Sequence, residues 1–133
     1  RYKAKLSVII NFSKDIASKI YAGSDIFLMP SKFEPCGLSQ MIAMRYGTVP
    51  IVRETGGLKD TVIPYNPTTK EGNGFRFYSY NAHDMLSSIW RAIDTYYNNK
   101  EDWAKIVNNA MTTDFSWDSP AKEYIKLYNR IMK

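Results

Sequence analysis

Two rhythms of apolar positions alternate along the first eighty residues. Short apolar runs stand at residues 6–10 (LSVII), 26–29 (IFLM) and 48–52 (TVPIV), and a fourth segment, 74–78 (GFRFY), alternates apolar with polar. Between them the apolar positions step by three or four. Ile16, Ala17, Ile20 and Tyr21 share one face of 14–22, and further helical runs cover 38–46 and the short stretch around 58–62. Short apolar runs bounded by turn residues mark strands covered on both faces, and steps of three and four mark helices. The pattern predicts an α/β fold: a parallel sheet of about four strands with helices on both faces. Pro50 weakens the middle of the third strand, because it has no N–H to give a ladder.

The punctuation agrees with this layout. Ser13 is placed to cap the first helix, Gly23-Ser24-Asp25 to stop it, and Gly47 to end the second. Beyond residue 80 the helical rhythm takes over. Asn81 caps a helix over 82–98, whose Leu86, Ile89, Trp90, Ile93 and Tyr97 are expected to face the core. A second helix covers 101–111. Ser116-Trp117-Asp118-Ser119-Pro120 opens a helical tail with Pro120 in its first turn, and Tyr124, Leu127, Tyr128 and Ile131 stripe one side. Trp90 and Trp117 are read as core residues rather than sugar platforms, and His83 as a surface or capping residue.

Composition narrows the classes. At 133 residues with 44% hydrophobic and 14% aromatic content, the chain suits one domain with a real core. The net charge of +5 is scattered, with no run of five basic residues, so a general attraction for anions is expected and nucleic acid is not. One cysteine, Cys36, precludes an intrachain disulfide and fits a reducing compartment. No membrane span or secretory signal is legible. The chain opens on Arg1 and runs almost at once into a strand-like segment, which predicts a piece of something longer.

The candidate chemistry lies where apolar runs give way to glycine-bearing turns. Glu34-Pro35-Cys36-Gly37 follows the 26–29 run, and Thr55-Gly56-Gly57 follows the 48–52 run. Ligands of open parallel sheets bind beyond the carboxyl ends of the strands, and glycine lets backbone approach a phosphate. Two such turns side by side suit a phosphate-bearing ligand, although glycine-rich turns also serve tight packing alone. Pro35 biases Glu34 toward extended backbone and so fixes its direction. A fixed carboxylate beside an anion site suits a neutral part of the ligand, such as sugar hydroxyls, or positive charge developing at an anomeric carbon. The other reading is a solvated loop glutamate or cap. Glu54 and Asp60 sit by the second turn, where the role of a glycosidase's second carboxylate is not expected.

The run from Ser24 to Val62, with Pro30-Ser31-Lys32-Phe33-Glu34-Pro35-Cys36-Gly37-Leu38, Tyr46-Gly47-Thr48, Pro50 and Thr55-Gly56-Gly57-Leu58, strongly resembles bacterial glycogen synthases and plant starch synthases. Phe115-Ser116-Trp117 and the Tyr-rich last helix fit as well. The resemblance implies the C-terminal, Rossmann-like, nucleotide-sugar-binding domain of a two-domain GT-B glycosyltransferase, with residues 1–133 a fragment of it and the N-terminal domain absent. It implies glucosyl transfer with retention from ADP-glucose or UDP-glucose to the non-reducing end of an α-1,4-glucan, without metal or cofactor. Glu34 would stabilise the transition state. Backbone at Cys36, Gly37 and Leu38 would hold glucose hydroxyls, and the helix start at Leu38 and Ser39 would face the diphosphate. Thr55, Gly56 and Gly57 complete the donor-side set. Phe12 would stack on the nucleobase, where the family usually has tyrosine. Ile42 stands where related transferases carry a second glutamate.

By the same resemblance, a basic pair for the distal phosphate and the acceptor surface lie upstream of this chain. The fragment alone is therefore expected to be inactive. The final helix would pack on the absent domain, and in its absence the exposed surface could support a dimer. A cytoplasmic location is implied, or a plastid in a plant. The alternatives are another GT-B transferase and a non-catalytic Rossmann- or flavodoxin-like anion-binding module. The second would want aspartates at strand carboxyl ends, and only Asp15 and Asp25 lie near.

Overall fold

The computed structural model describes residues 5–132. Three parallel strands, β1 (Ile26–Met29), β2 (Val49–Arg53) and β3 (Phe75–Phe77), pair in the order β1-β2-β3. Helix α1 (Lys14–Gly23) precedes them, α2 (Ser39–Arg45) joins β1 to β2, and α3 (Gly56–Thr61) leaves β2. Helices α4 (Ala82–Asn98), α5 (Lys100–Thr112) and α6 (Asp118–Ile131) follow β3.

The two-residue period of β2 organises the core. Val49 and Ile51 pack with Phe75, Phe77, Ala92, Trp103 and Ile106, on the side of α4 and α5. Val52 packs on the other side with Met44 of α2, Leu58 of α3, Val62 and Ala110 of α5. Helices thus cover both faces, as the continuous apolar runs require.

Pro50 sits in the central strand, fully buried, opposite Phe27 of β1. The Val49 N–H donates to Asp25 O, on the β1 side. Alternation turns the next residue toward β3, whose pairing with β2 begins only at Ile51↔Phe75. The missing N–H of Pro50 therefore falls just outside the ladder, which is why a central strand tolerates it.

Caps follow the sequence closely. Ser13 Oγ accepts from Ile16 N–H at 3.3 Å, and Asn81 Oδ1 from Asp84 N–H at 2.8 Å. Gly47, at φ +82°, turns the chain out of α2. Three expectations are corrected. Residues 6–10 form no strand: Leu6, Val8, Ile9 and Ile10 are exposed coil that joins no ladder, although β1 and β3 are edge strands, and an apolar run becomes a strand only where it engages a partner. Among the described residues the sheet has three strands, one fewer than the pattern counted, within the expected parallel α/β architecture. On α4 the core stripe runs through Met85, Ser88, Ile89, Ala92 and Tyr96, while Leu86, Trp90 and Tyr97 are exposed. Small Ser88 and Ala92 let the helix approach the sheet closely, and Ser88 Oγ donates to Arg76 O at 3.2 Å. Trp90 and Trp117 are surface residues, at 60% and 84% exposure; Trp103 is the buried tryptophan. All residues of α6 whose burial is described are exposed, including Tyr124, Leu127, Tyr128 and Ile131.

Candidate functional site

The loop after β1 and the turn after β2 meet backbone to backbone. Gly57 N–H donates to Pro35 O at 3.1 Å. A Cβ on Gly57 would lie 2.3 Å from Cys36 O, and one on Gly56 only 1.9 Å from Glu34 O. Gly56 also takes φ +45°, in the left-handed region. The glycine pair is thus required by close approach of the two loops, and that approach gathers Glu34, Cys36, Gly37 and Leu38 beside Thr55, Gly56 and Gly57.

The same contacts orient the loop. Pro35 O is held by Gly57 N–H, Cys36 O lies against Gly57 and 3.4 Å from Gln40 Nε2, and Gly37 O accepts from Gln40 Nε2 at 2.8 Å. Across a trans peptide the N–H points opposite to the preceding C=O. The amides of Cys36, Gly37 and Leu38 therefore all point away from α3, and none donates to an acceptor among the described residues. Gly37 at φ +71° followed by Leu38 in the right-handed region gives the alternation of a backbone nest, which concentrates N–H groups for anions and hydroxyl oxygens. Helices α1, α4 and α5 carry side-chain caps from Ser13, Asn81 and Asn99, whereas α2 and α3, which start at these loops, carry none.

Glu34 is half-buried and forms no ion pair among the described residues. Glu54, by contrast, is engaged with Lys59 at 3.3 Å and Arg76 at 3.7 Å, so Glu34 is the uncommitted carboxylate of the two. The head of its loop is fixed from β2: Arg53 Nε donates to Ser31 O at 2.9 Å, a second guanidinium nitrogen to Lys32 O, and the guanidinium lies 5.6 Å from the Tyr80 ring centre. Cys36 is an exposed free thiol, and Ser39 opens α2. A groove of about 720 Å³ lined by Leu38, Met41, Ile42, Arg45, Met111 and Phe115 borders the site. Phe12 is not brought to the loops by any hydrogen bond or ring contact among the described residues; it is 86% exposed in the coil before α1. Sequence reasoning missed Gln40, Thr61 and Arg53, which shape the site from below. The polar Gln40, second residue of α2 on an otherwise apolar helix face, was the available signal.

Asp25, weighed as a phosphoacceptor, stands at the amino end of β1. There its charge is the main cause pushing the Tyr96 phenol up, with burial second. That is the wrong end of the sheet for the phosphoacceptor reading.

The sequence profile of the glycosyl transferases group 1 matches residues 2–128. The chain belongs to that family. It is 55% identical over 130 residues to a glycogen synthase of Desulfitobacterium hafniense, covering 98% of this chain and 28% of that protein. It is 58% identical over 132 residues to one of Clostridium acetobutylicum, covering 99% and 28%. The catalytic domain of starch synthase IV from Arabidopsis thaliana, solved with ADP and acarbose, superposes with a TM-score of 0.82 at 43% identity, over 92% of this chain and 25% of that one. The chain thus spans little more than a quarter of the length of the curated relatives it matches. The glycogen- and starch-synthase likeness of the sequence and the α/β architecture with helices on both faces both stand.

Proposed function

We propose that this chain is the donor-binding part of a cytoplasmic glucan synthase, holding ADP-glucose, or alternatively UDP-glucose, for transfer to the non-reducing end of an α-1,4-glucan with retention. In that transfer the bond from C1 to the diphosphate oxygen breaks and one from C1 to the acceptor's 4-hydroxyl oxygen forms. The hydroxyl proton leaves with the diphosphate. The carboxylate of Glu34 stabilises the positive charge that develops at C1. The amides of Cys36, Gly37 and Leu38 hold glucose hydroxyls. Ser39 and the uncapped start of α2, with Thr55, Gly56 and Gly57 across from it, receive the diphosphate. Phe12 stacks on the nucleobase once the chain before α1 is folded back. The acceptor-binding surface, the basic pair and an N-terminal domain belong to polypeptide beyond these 133 residues, which match 28% of the length of the Desulfitobacterium hafniense relative.

The observation that supports this reading is the run of three amides with no acceptor, beside a carboxylate with no ion pair, among the described residues. That combination suits a ligand with both hydroxyls and an anion, and an anion-binding module has no use for the carboxylate. The test is a chimera in which this chain replaces the matching segment of the Clostridium acetobutylicum relative. The chimera transfers glucose to glycogen. Glu34→Gln lowers its kcat by about 10²–10³-fold with donor KM little changed, the scale for losing one electrostatic transition-state contact. A Glu34→Gln chimera within twofold of its parent sinks the assignment. The isolated chain is expected to transfer no glucose, and detectable glucan extension by it would refute that expectation.

A further inference from the structure

Gln40 is fully buried, on the second turn-position of α2, and reaches back under the loop. Its Nε2 donates to Gly37 O at 2.8 Å and to Thr61 Oγ1 at 3.1 Å, with Cys36 O at 3.4 Å. Two of these partners are carbonyls, which only accept, so the nitrogen end of the amide is fixed there. Thr61 Oγ1 donates onward to Gly57 O at 2.7 Å. One relay, Gly37 O, Gln40, Thr61, Gly57 O, therefore ties the two glycine turns together from below. The other end of the amide, Oε1, is buried without a partner. A buried acceptor left unmatched costs stability, and a hydrocarbon of similar shape would avoid that cost. What hydrocarbon could not do is hold the Gly37 carbonyl inward.

From this we infer that Gln40 is the positioning residue that aims the Gly37 and Leu38 amides at the sugar of a nucleotide-sugar donor. The inference rests on the donor reading above. It assigns Gln40 no contact with the ligand. The carbonyl of residue 37 and the amide of residue 38 share one peptide plane, so a donor gripping the carbonyl from inside sets the direction of the N–H outside. The left-handed Gly37 offers no steric resistance to a flip of that plane, which makes an external hold necessary.

Gln40→Glu tests this through pH. When ionised, the carboxylate has no proton for the Gly37 carbonyl and repels it; when protonated, its O–H replaces the lost donor. Burial raises the pKa of such a group into an accessible range. Donor affinity is read from ¹⁵N shifts of Gly37 and Leu38 as ADP-glucose is added, at pH 5.5 and pH 8, to the full-length chimera described above, with and without Gln40→Glu. The expected result is binding about tenfold weaker than wild type at pH 8, the scale of one lost hydrogen bond, and recovered at pH 5.5. Adding a proton also relieves any general loosening caused by the buried charge, so urea midpoints are read at both pH values: weaker binding at pH 8 by a variant still fully folded there supports positioning, and weaker binding that only tracks unfolding overturns it. If wild type responds and Gln40→Glu matches it at both pH values, the positioning role is wrong and the donor reading stands. If the wild-type Gly37 and Leu38 amides do not respond at all, the donor reading falls and this inference with it.

A second measurement needs no variant. In the unsubstituted chimera the Gln40 side-chain protons exchange slowly with solvent, while the Gly37 and Leu38 amides exchange fast and slow down when ADP-glucose is added. Fast Gln40 protons with protected Gly37 and Leu38 amides in the free chimera overturn the inference.

Discussion

Gly57 stands against Cys36 with no room for a side chain: its amide reaches the Pro35 carbonyl at 3.1 Å, and a Cβ would meet Cys36 O at 2.3 Å. The obstructing atom is backbone, which cannot swing aside as a side chain can. Gly57→Ala therefore pushes the two loops apart. The expected cost is about 2–3 kcal/mol of stability, the range for strain at a crowded backbone site, together with loss of ADP-glucose binding. Gly23→Ala is the control. It meets nothing within 4 Å at the end of α1 and should be neutral to stabilising. Urea midpoints and ligand titrations of both variants check the contrast.

Arg53 holds the loop at its other end. Its guanidinium forks onto the carbonyls of Ser31 and Lys32, three and two residues before Glu34, and lies over Tyr80. A lysine keeps the charge but cannot form the fork. Arg53→Lys should leave the chain folded, cost about 1–2 kcal/mol for the lost charge-assisted bonds, and weaken donor binding several-fold. An unchanged affinity would mean that the loop head needs no such anchor.

The tryptophans separate two kinds of apolar residue. Trp103 is buried against the α4–sheet core, with its ring 5.1 Å from that of Tyr96, while Trp90 and Trp117 are exposed. Trp103→Ala should cost about 3–5 kcal/mol, the range for truncating a core aromatic, and Trp90→Ala under about 0.5 kcal/mol. Acrylamide should quench Trp90 and Trp117 freely and Trp103 poorly. Strong protection of Trp90 in the monomeric chain would contradict the placement of its face.

That same pair marks how far the sequence could be read. Elements bounded by caps and glycines were legible, because Ser13, Asn81 and Gly47 act locally. The 26–29 and 48–52 strands were legible because a parallel sheet buries both faces. Residues 6–10 carry an equally good apolar run and form no strand here, since pairing depends on a neighbour that the run itself cannot reveal. On α4 two adjacent stripes both step by three and four. Size misled the choice: the bulky Leu86, Trp90 and Tyr97 look like core, but Ser88 and Ala92 allow the close approach to the sheet. At the site, the motif named the loop residues, and their meeting followed from glycines at two strand ends. The hold from beneath by Gln40 and Thr61 was invisible, because a contact across 21 residues leaves no local signature.

Away from the site, the 64–73 loop is fastened to α5 by a small ionic cluster whose pH response has a definite sign. Lys70 Nζ lies 2.5 Å from Asp102 Oδ1, and the hydrogen bond from Lys70 is the main cause holding the Asp102 carboxyl below its usual range. Burial first, then the neighbouring Asp102, pushes the Tyr65 phenol up to about 12. A depressed carboxyl adds stability above the unfolded value near 4 and loses it as pH falls through the folded one. A raised phenol does the reverse: its contribution is whole below about 10 and is lost as pH rises toward 12. Urea midpoints of the wild-type chain should therefore hold steady through neutral pH and fall in the alkaline window. Other tyrosines and lysines also titrate there, so the comparison is with Tyr65→Phe, which has no proton to lose. The difference between the two chains should be constant from pH 6 to 9 and then change in favour of Tyr65→Phe as the pH is raised from 10 to 12. Parallel curves through that window would show that Tyr65 titrates as it does unfolded, and that the cluster does not bury its hydroxyl.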